Sequence, residues 1–467
     1  MSFTTTYSIT YIPIFVTHFD EKNQYLRLAQ NTPQPFVHIA KCRSSTPKIY
    51  TKNLLQEAFF CVRMYHINTV KKKVFSMKPI RTFIQQNGIR ASIKIHKPIH
   101  KLTKGRIAKC SFINAINIPF VGTDVKIIKE NETSTFIGKF NPDGSYNTED
   151  FKILTFTDLH MDDDFDINNK TLQLVVDNIV AEKPDLVIFT GDCIVGKYQQ
   201  IDAIQFGQMM EKLGVYWAFV FGNHEARAEK EFFKYLIFKS VTDFPHCLSK
   251  FGNPDLFGYG NFIINIMDGE KSLRQSLVLM DSGRDFCEPH ITNDNIPFTP
   301  KDGYDYIKPG QIKWYKDEIT ALKKEYGKAT SMLYMHIPIP EYNEVFKSER
   351  EEDGSFAPSG KAELLYGVQY ENVGSSKYNS HLFDAMKEMG AQAIFSGHDH
   401  VNDWAAKYEG IWLVYTQSGG YNCYGMGAYN NTFFWEEKDW LQGSTLTTVK
   451  PDGTITLEQK KNSRFLK

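Results

Sequence analysis

Residues 184–192, Pro184-Asp185-Leu186-Val187-Ile188-Phe189-Thr190-Gly191-Asp192, form a short apolar run that opens after a proline and breaks at a glycine. Such a run, bounded by turn signals, reads as a buried strand with an aspartate at its carboxyl end. The same texture recurs on both sides of it. Lys152 to Thr157 is another buried strand, and Thr171 to Glu182 has helical periodicity. A helix over Ile201 to Leu213, a strand over Val215 to Phe221 and a helix over Ala228 to Phe238 follow. Gln275 to Met280, Ser331 to Met335 and Gln392 to Phe395 are further strands, with helices over Ile312 to Tyr326 and around His381 to Met389. This alternation predicts an α/β arrangement of parallel strands with helical crossovers, whose ligands gather at the strands' carboxyl ends.

At 467 residues the chain exceeds a comfortable single core, so two domains are expected. A content of 42% hydrophobic and 23% charged residues excludes disordered and fibrous classes. No apolar run approaches the length of a bilayer span. The first residues lack a basic leader and are interrupted by Pro13, so a cleaved signal peptide is not expected. The 7 cysteines are dispersed without a C-x-x-C pair, which suits a reducing compartment and gives a cytoplasmic expectation.

Residues 1–145 read as a β-rich N-terminal domain, with strands over Thr4 to Val16, Phe59 to Tyr65, Ile107 to Ile118 and Asp124 to Lys129. The turn signal at Asn141-Pro142-Asp143-Gly144 marks a boundary. A catalytic domain would occupy residues 150–430. A hairpin in 431–467 would pack on it, from Thr445 to Val449 and Thr454 to Glu458 around Pro451-Asp452-Gly453. The formal net charge of zero conceals an asymmetry. Residues 58–122 contain no Asp or Glu but 13 of the 54 Lys and Arg, leaving 41 against 54 acidic residues elsewhere. A solvated face explains such a segment adequately. The functional reading is a docking surface for an acidic partner, a phospholipid headgroup or nucleic acid.

Five segments at strand ends carry the chemistry: Asp158-Leu159-His160, Gly191-Asp192, Gly222-Asn223-His224-Glu225, His336 and Gly397-His398-Asp399-His400. A pair of metal ions needs one group that touches both, and the carboxylate of Asp192 is suited to that. Asp158 and His160, two apart in an extended segment, would point the same way and grip one ion. Asn223 offers a neutral oxygen to the other. His398 and His400 follow the same spacing logic with Asp399 facing away, and His336 completes the second set. Mixed nitrogen and oxygen donors suit iron, zinc, manganese or nickel rather than calcium or magnesium. Two ions about 3.5–4 Å apart would turn a bridging water into a hydroxide that attacks phosphorus in line. His224 is then available to protonate the leaving oxygen, and Glu225 to orient it or cap the next helix.

This set of D-x-H, G-D, G-N-H-E, H and G-H-x-H resembles that of the calcineurin-like metallophosphoesterases. The resemblance implies a four-layer β-sandwich flanked by helices and a dinuclear centre of iron, zinc or manganese. It assigns Asp158, His160, Asp192 and His400 to one ion. Asp192, Asn223, His336 and His398 go to the other, with His224 as catalytic acid. Tyr334 to Tyr342, Gly397 to Asp403 and the glycine-rich run from Ser418 are similar to the purple-acid-phosphatase-like branch. Where purple acid phosphatases carry a metal-binding tyrosine, this chain has Val195, and Tyr198 is out of register.

Taken singly, a histidine near a strand end is more often structural than a ligand; the five segments together reverse that weighting. Asp162, Asp163, Asp164 and Asp166 read as a solvated loop before a helix. Arg227, Arg284 and Lys197 are candidates to hold phosphate, and Cys193 reads as a packed small residue. The run from Gly419 to Tyr429 either lines the pocket mouth or forms a plain turn. His246 and His381, like the remaining histidines, read as structural. The expected function is hydrolysis of phosphomonoesters, phosphoproteins among them. A phosphodiesterase or nucleotide hydrolase is the alternative, and a non-catalytic scaffold the third reading.

Overall fold

A computed structural model describes residues 8–9, 14–20, 25–30, 37–41, 115–225, 230–284, 303–425 and 442–465, with the first four ranges and 230–233 as backbone only. Two compact units divide the chain, Met1–Thr103 and Lys104–Lys467. In the first, β1 (Ser8–Ile9), β2 (Ile14–Asp20), β3 (Tyr25–Gln30) and β4 (Val37–Lys41) form an antiparallel sheet in sequential order. The strand expected over 59–65 lies outside the described residues, as does most of the basic segment.

The second unit begins with the hairpin β5 (Val125–Glu130) and β6 (Ser134–Lys139), then β7 (Phe151–Phe156), α1 (Phe165–Glu182), β8 (Leu186–Phe189), α2 (Gln199–Leu213), β9 (Trp217–Phe219) and α3 (Lys230–Thr242). The antiparallel pair β10 (Phe262–Gly269) and β11 (Ser272–Leu279) precedes α4 (Pro309–Tyr326) and β12 (Ser331–Tyr334). Next come β13 (Phe346–Arg350), β14 (Phe356–Pro358), β15 (Glu363–Gln369), α5 (Leu382–Glu388), β16 (Ala393–Ser396), β17 (Asn402–Tyr408) and β18 (Ile411–Tyr415). The hairpin β19 (Gly443–Val449) and β20 (Ile455–Lys461) follows, and a 3-10 turn over Asn462–Phe465 ends the described chain.

These strands build a nine-stranded sheet in the order β15-β17-β18-β16-β12-β11-β10-β6-β5, and a five-stranded sheet in the order β20-β19-β7-β8-β9. β7, β8 and β9 are mutually parallel, as are β11, β12, β16 and β18. Strands β8, β12 and β16 are buried along their whole length, so each needs cover on two faces. For the nine-stranded sheet, Trp314, Tyr315 and Ile319 of α4 and Phe383 and Met386 of α5 cover one face, packing with Val278, Leu333 and Ile394. The other sheet covers the second face: Gln459 of β20 donates to Asp403 of β17. The result is a helix-flanked β-sandwich.

Three expectations are revised. Residues 115–118 are a turn and irregular chain rather than strand, because the Asn117 backbone bonds the Gln173 side chain (N–H to Oε1, 2.8 Å) instead of a neighbouring strand. β5 and β6 lie beyond the division at Thr103, and β6 runs parallel to β10 in the nine-stranded sheet; the turn at 141–144 therefore falls inside the second unit. The C-terminal hairpin does not lie on a finished domain. β19 pairs with β7 from Phe151 to Thr155 and so extends the five-stranded sheet. Among the described residues no helix is long and apolar enough to cross a membrane.

An aromatic cluster fixes α2 on the five-stranded sheet. Phe189 of β8 meets Phe206 of α2 edge-on at 4.7 Å, and Trp217 of β9 lies 5.6 Å from Phe206. All three are fully buried. Phe189→Ala is expected to cost about 3–5 kcal/mol, the usual cost of emptying a closely packed aromatic site. Urea denaturation would read this as a lower midpoint at unchanged slope.

Candidate metal centre

All five segments leave the carboxyl ends of parallel strands. Asp158 follows β7, Asp192 follows β8 and Asn223 follows β9; His336 follows β12 and His398 follows β16. Two sheets thus contribute to one place. Asp192 Oδ2 lies 3.2 Å from His336 Nε2, 3.7 Å from His160 Nε2 and 3.8 Å from His224 Nε2. Asp158 Oδ1 is 3.3 Å from His400 Nε2 and 3.7 Å from His160 Nε2. Asn223 Oδ1 is 3.0 Å from His336 Nε2. Asp192, His336 and His398 form one group whose ligand atoms lie within 4.8 Å of one another; Asp158, His160 and Asp192 form a second.

The route to this convergence differs from the expected one. Asp158 (φ 50°) and His160 (φ 46°) are not extended; both are left-handed, as are Asp192 (φ 50°) and His398 (φ 82°). Left-handed backbone costs on the order of 1–3 kcal/mol at a residue with a side chain, and it concentrates at functional sites. Close backbone approach supports the geometry. A Cβ on Gly222 would fall 2.1 Å from Asp192 Oδ1, so only glycine lets the β9 loop pass the carboxylate. His398 and His400 also part company. His398 groups with Asp192 and His336, whereas His400 turns towards Asp158 and His160. Asp399 faces away, as expected, accepting from the Gly374 N–H (2.8 Å) and the Tyr415 hydroxyl.

Among the described residues, Glu225 serves the backbone of the strand-end loops. Its fully buried carboxylate accepts four backbone N–H groups: Gly222 (2.7 Å) and Asp192 (3.0 Å) on Oε2, Cys193 (2.6 Å) and Ile194 (3.1 Å) on Oε1. Burial, reinforced by the charge of Asp192, raises it to about 7. Hydrogen bonds also set the tautomers of two histidines. His336 Nδ1 donates to the Thr190 carbonyl (2.9 Å) and His400 Nδ1 to the Tyr424 carbonyl (2.8 Å). Once neutral, both rings present the Nε2 lone pair inward.

These residues fit a pair of transition-metal ions. Asp158 Oδ1 and His160 Nε2 are buried without a hydrogen-bond partner among the described residues, a costly condition that a cation would relieve. In the metal-free centre protons do this work. Burial opposes charge on His336, but Asp192 and Asp158 outweigh it and hold the ring at about 9. His160 is likewise buried, yet Asp158 holds it at about 9. His398, buried beside the charged His336, falls to about 3.

Other candidates separate from this group. Lys197 is exposed and pairs with Asp163 at 3.1 Å. Arg284 stands in the loop after β11, at the sheet end that carries His336; Arg227 lies outside the described residues. Tyr198 is exposed at the start of α2. Cys193 is a packed residue, its thiol bonded to the Gly191 carbonyl and pushed up by burial. Asp164 caps α1, accepting from the Asp166 and Ile167 N–H groups. His246 pairs with Glu211 and His381 with Asp384. Of the glycine-rich run, the described part to residue 425 does line the centre. The Gly419 and Gly420 N–H groups bond the carbonyls of Thr157 (2.9 Å) and Asp158 (3.0 Å).

Metal uptake must displace the protons on His160 and His336. Affinity is therefore expected to rise from pH 6 to pH 9 with proton release, readable by calorimetry in buffers of different ionisation enthalpy. The sign for stability follows too. Histidines raised from 6.5 to about 9 stabilise the metal-free protein fully below pH 6.5 and lose that contribution as pH climbs through 9. Metal-free protein should thus melt lower at pH 9.5 than at pH 6.5, and saturating zinc should abolish the difference. Glu225→Gln turns an amide towards N–H donors. It is expected to cost about 1–3 kcal/mol in denaturant titration and to weaken metal retention on dialysis.

The calcineurin-like phosphoesterase family profile matches residues 151–402. The chain is 28% identical over 329 residues to the probable inactive purple acid phosphatase 14 of Arabidopsis thaliana, covering 62% of this chain and 73% of that one. It is 29% identical over 274 residues to probable inactive purple acid phosphatase 29 of the same plant, covering 54% and 63%. With the phosphatase DCR2 of Saccharomyces cerevisiae it shares 28% over 294 residues, 58% of this chain and about half (48%) of that one. From the strand-end segments and the profile that spans them, the chain belongs to the calcineurin-like phosphoesterase family.

Proposed function

We propose that the chain hydrolyses phosphomonoesters, phosphoproteins among them, with two transition-metal ions of iron, zinc or manganese. One observation carries this reading: eight side chains from five loops converge, two of their buried polar atoms having no hydrogen-bond partner among the described residues. When bound, the two ions would clamp phosphate oxygens and acidify a water between them. The chain supplies the rest. Asp158, His160, Asp192 and His400 would hold one ion, and Asp192, Asn223, His336 and His398 the other. Asp192 suits the shared position because its Oδ2 stands between His336 and His160, while its Oδ1 is fixed by the His224 N–H (2.7 Å).

His224 differs from the other histidines in position. Its side chain is 29% exposed, at the rim of a centre otherwise nearly closed to water. It lies edge-on to His160 at 5.1 Å, and its carbonyl accepts from the Gln199 amide (3.1 Å). An imidazole so held can give a proton to the departing oxygen. Arg284, in the loop after β11, is a candidate to hold the phosphate. The word inactive in two relatives' names belongs to those proteins. Here every position of the proposed ligand set carries a metal-binding side chain, which favours the enzyme over the scaffold.

Elemental analysis together with turnover of an aryl phosphate and of its bis-ester tests the reading. Two ions per chain and preference for the monoester are expected; turnover of the diester alone would favour the phosphodiesterase alternative. Asp192→Ala should lose metal and activity together. His224→Ala should retain metal and lose about 10²–10⁴-fold in kcat on an alkyl phosphate, but far less on nitrophenyl phosphate, whose leaving group needs no proton. A chain that binds no metal and turns over neither ester would sink the proposal in favour of the scaffold.

A further inference from the structure

We propose that Cys423 is a thiolate ligand of the first ion, giving the centre a sulfur donor beside its nitrogen and oxygen donors. This rests on the dinuclear reading above and adds to it a residue of the glycine-rich run. The Cys423 thiol forms a group with His160 and His400 whose three candidate ligand atoms lie within 4.8 Å of one another. Donors to a single zinc-like ion, with bonds of about 2.0–2.3 Å, stand roughly 3–4 Å apart, so a small inward adjustment closes the set.

A cysteine near two histidines is no site by itself. Two further observations point to a cation. His160 Nε2 is buried, on a side chain only 4% exposed, with no hydrogen-bond partner among the described residues. The loop that brings Cys423 there is also tied down on both sides. Upstream, Gly420 bonds the Asp158 carbonyl at 3.0 Å, and a Cβ on it would fall 2.3 Å from the Leu159 carbonyl. Downstream, the Tyr424 carbonyl accepts from His400, its ring stacks on that imidazole at 4.3 Å, and its hydroxyl donates to Glu371 at 3.0 Å. Cys423 is thus fixed between a neighbour of one ligand and a partner of another.

Binding would release the thiol proton to solvent and leave sulfur bonded to the ion as thiolate, with no change of oxidation state. Sulfur is a soft donor, so the first position should prefer zinc or iron to manganese. Full-length protein loaded with cobalt(II) should show a near-ultraviolet thiolate-to-cobalt charge-transfer band, absent in Cys423→Ser. That variant should also lose at least about tenfold in affinity for one ion and shift its preference towards manganese. Zinc should protect Cys423 of the wild-type chain from iodoacetamide, read by peptide mass spectrometry, a measurement independent of the variant's folding. Equal alkylation with and without zinc, or a band that survives in Cys423→Ser, would overturn the proposal. Two bound ions with no thiolate band would overturn it alone, whereas a wild-type chain that takes up no metal would remove the dinuclear reading as well.

Discussion

The carboxylate of Glu225 is the point on which the centre's geometry turns. A side chain with no exposure to water accepts four backbone N–H groups, three from the β8 loop and one from the β9 loop. Without it, those donors would be buried unpaired, each at a cost of about 1–3 kcal/mol. With it, Gly191-Asp192 and Gly222-Asn223 are locked in register, and Asp192 presents Oδ2 to both histidine groups. The negative charge this places beside Asp192 is itself unfavourable, which is why burial and Asp192 together raise Glu225 to about 7.

The backbone carries a matching load. Asp158, His160, Asp192 and His398 all sit in left-handed conformations, and the glycines around them let one loop pass within a Cβ radius of the next. None of this is what an isolated loop would choose. It persists because the loops bond one another: the Asp158 N–H to the Gly191 carbonyl (3.0 Å), the His160 N–H to the Asp192 carbonyl (2.9 Å), the His398 N–H to Asp158 Oδ2 (2.8 Å). Strain in each loop is offset by its neighbours.

The parallel core was legible because strands such as Leu186–Phe189 and Ser331–Tyr334 are continuous apolar runs that end in glycine, aspartate or histidine. The convergence of the five segments was legible for the same reason. What the sequence could not display was pairing over distance. Phe262–Gly269 and Asn402–Tyr408 mix apolar and polar residues, and it is their ladders, not their composition, that make them strands. The spacing argument for Asp158 and His160 reached the right neighbours through the wrong backbone, since left-handed residues carry no pattern in a single chain. Glu225 looked like a partner for the adjacent His224 because its real partners are N–H groups, which every residue type offers alike. Cys423 had no spacing signal at all; only the fold of its loop brings it beside His160.

Three of the five segments belong to one sheet and two to the other. A cation gripped from both sides would act as a rivet through the seam of the sandwich, where residues 158 and 400 become neighbours although far apart in the chain. Neither sheet alone owns a complete set of donors, so an assembling chain offers no finished cradle until the halves have closed on each other. Ion capture would therefore act as a checkpoint on completed folding, and losing the ions would loosen the junction between the halves rather than merely empty a socket.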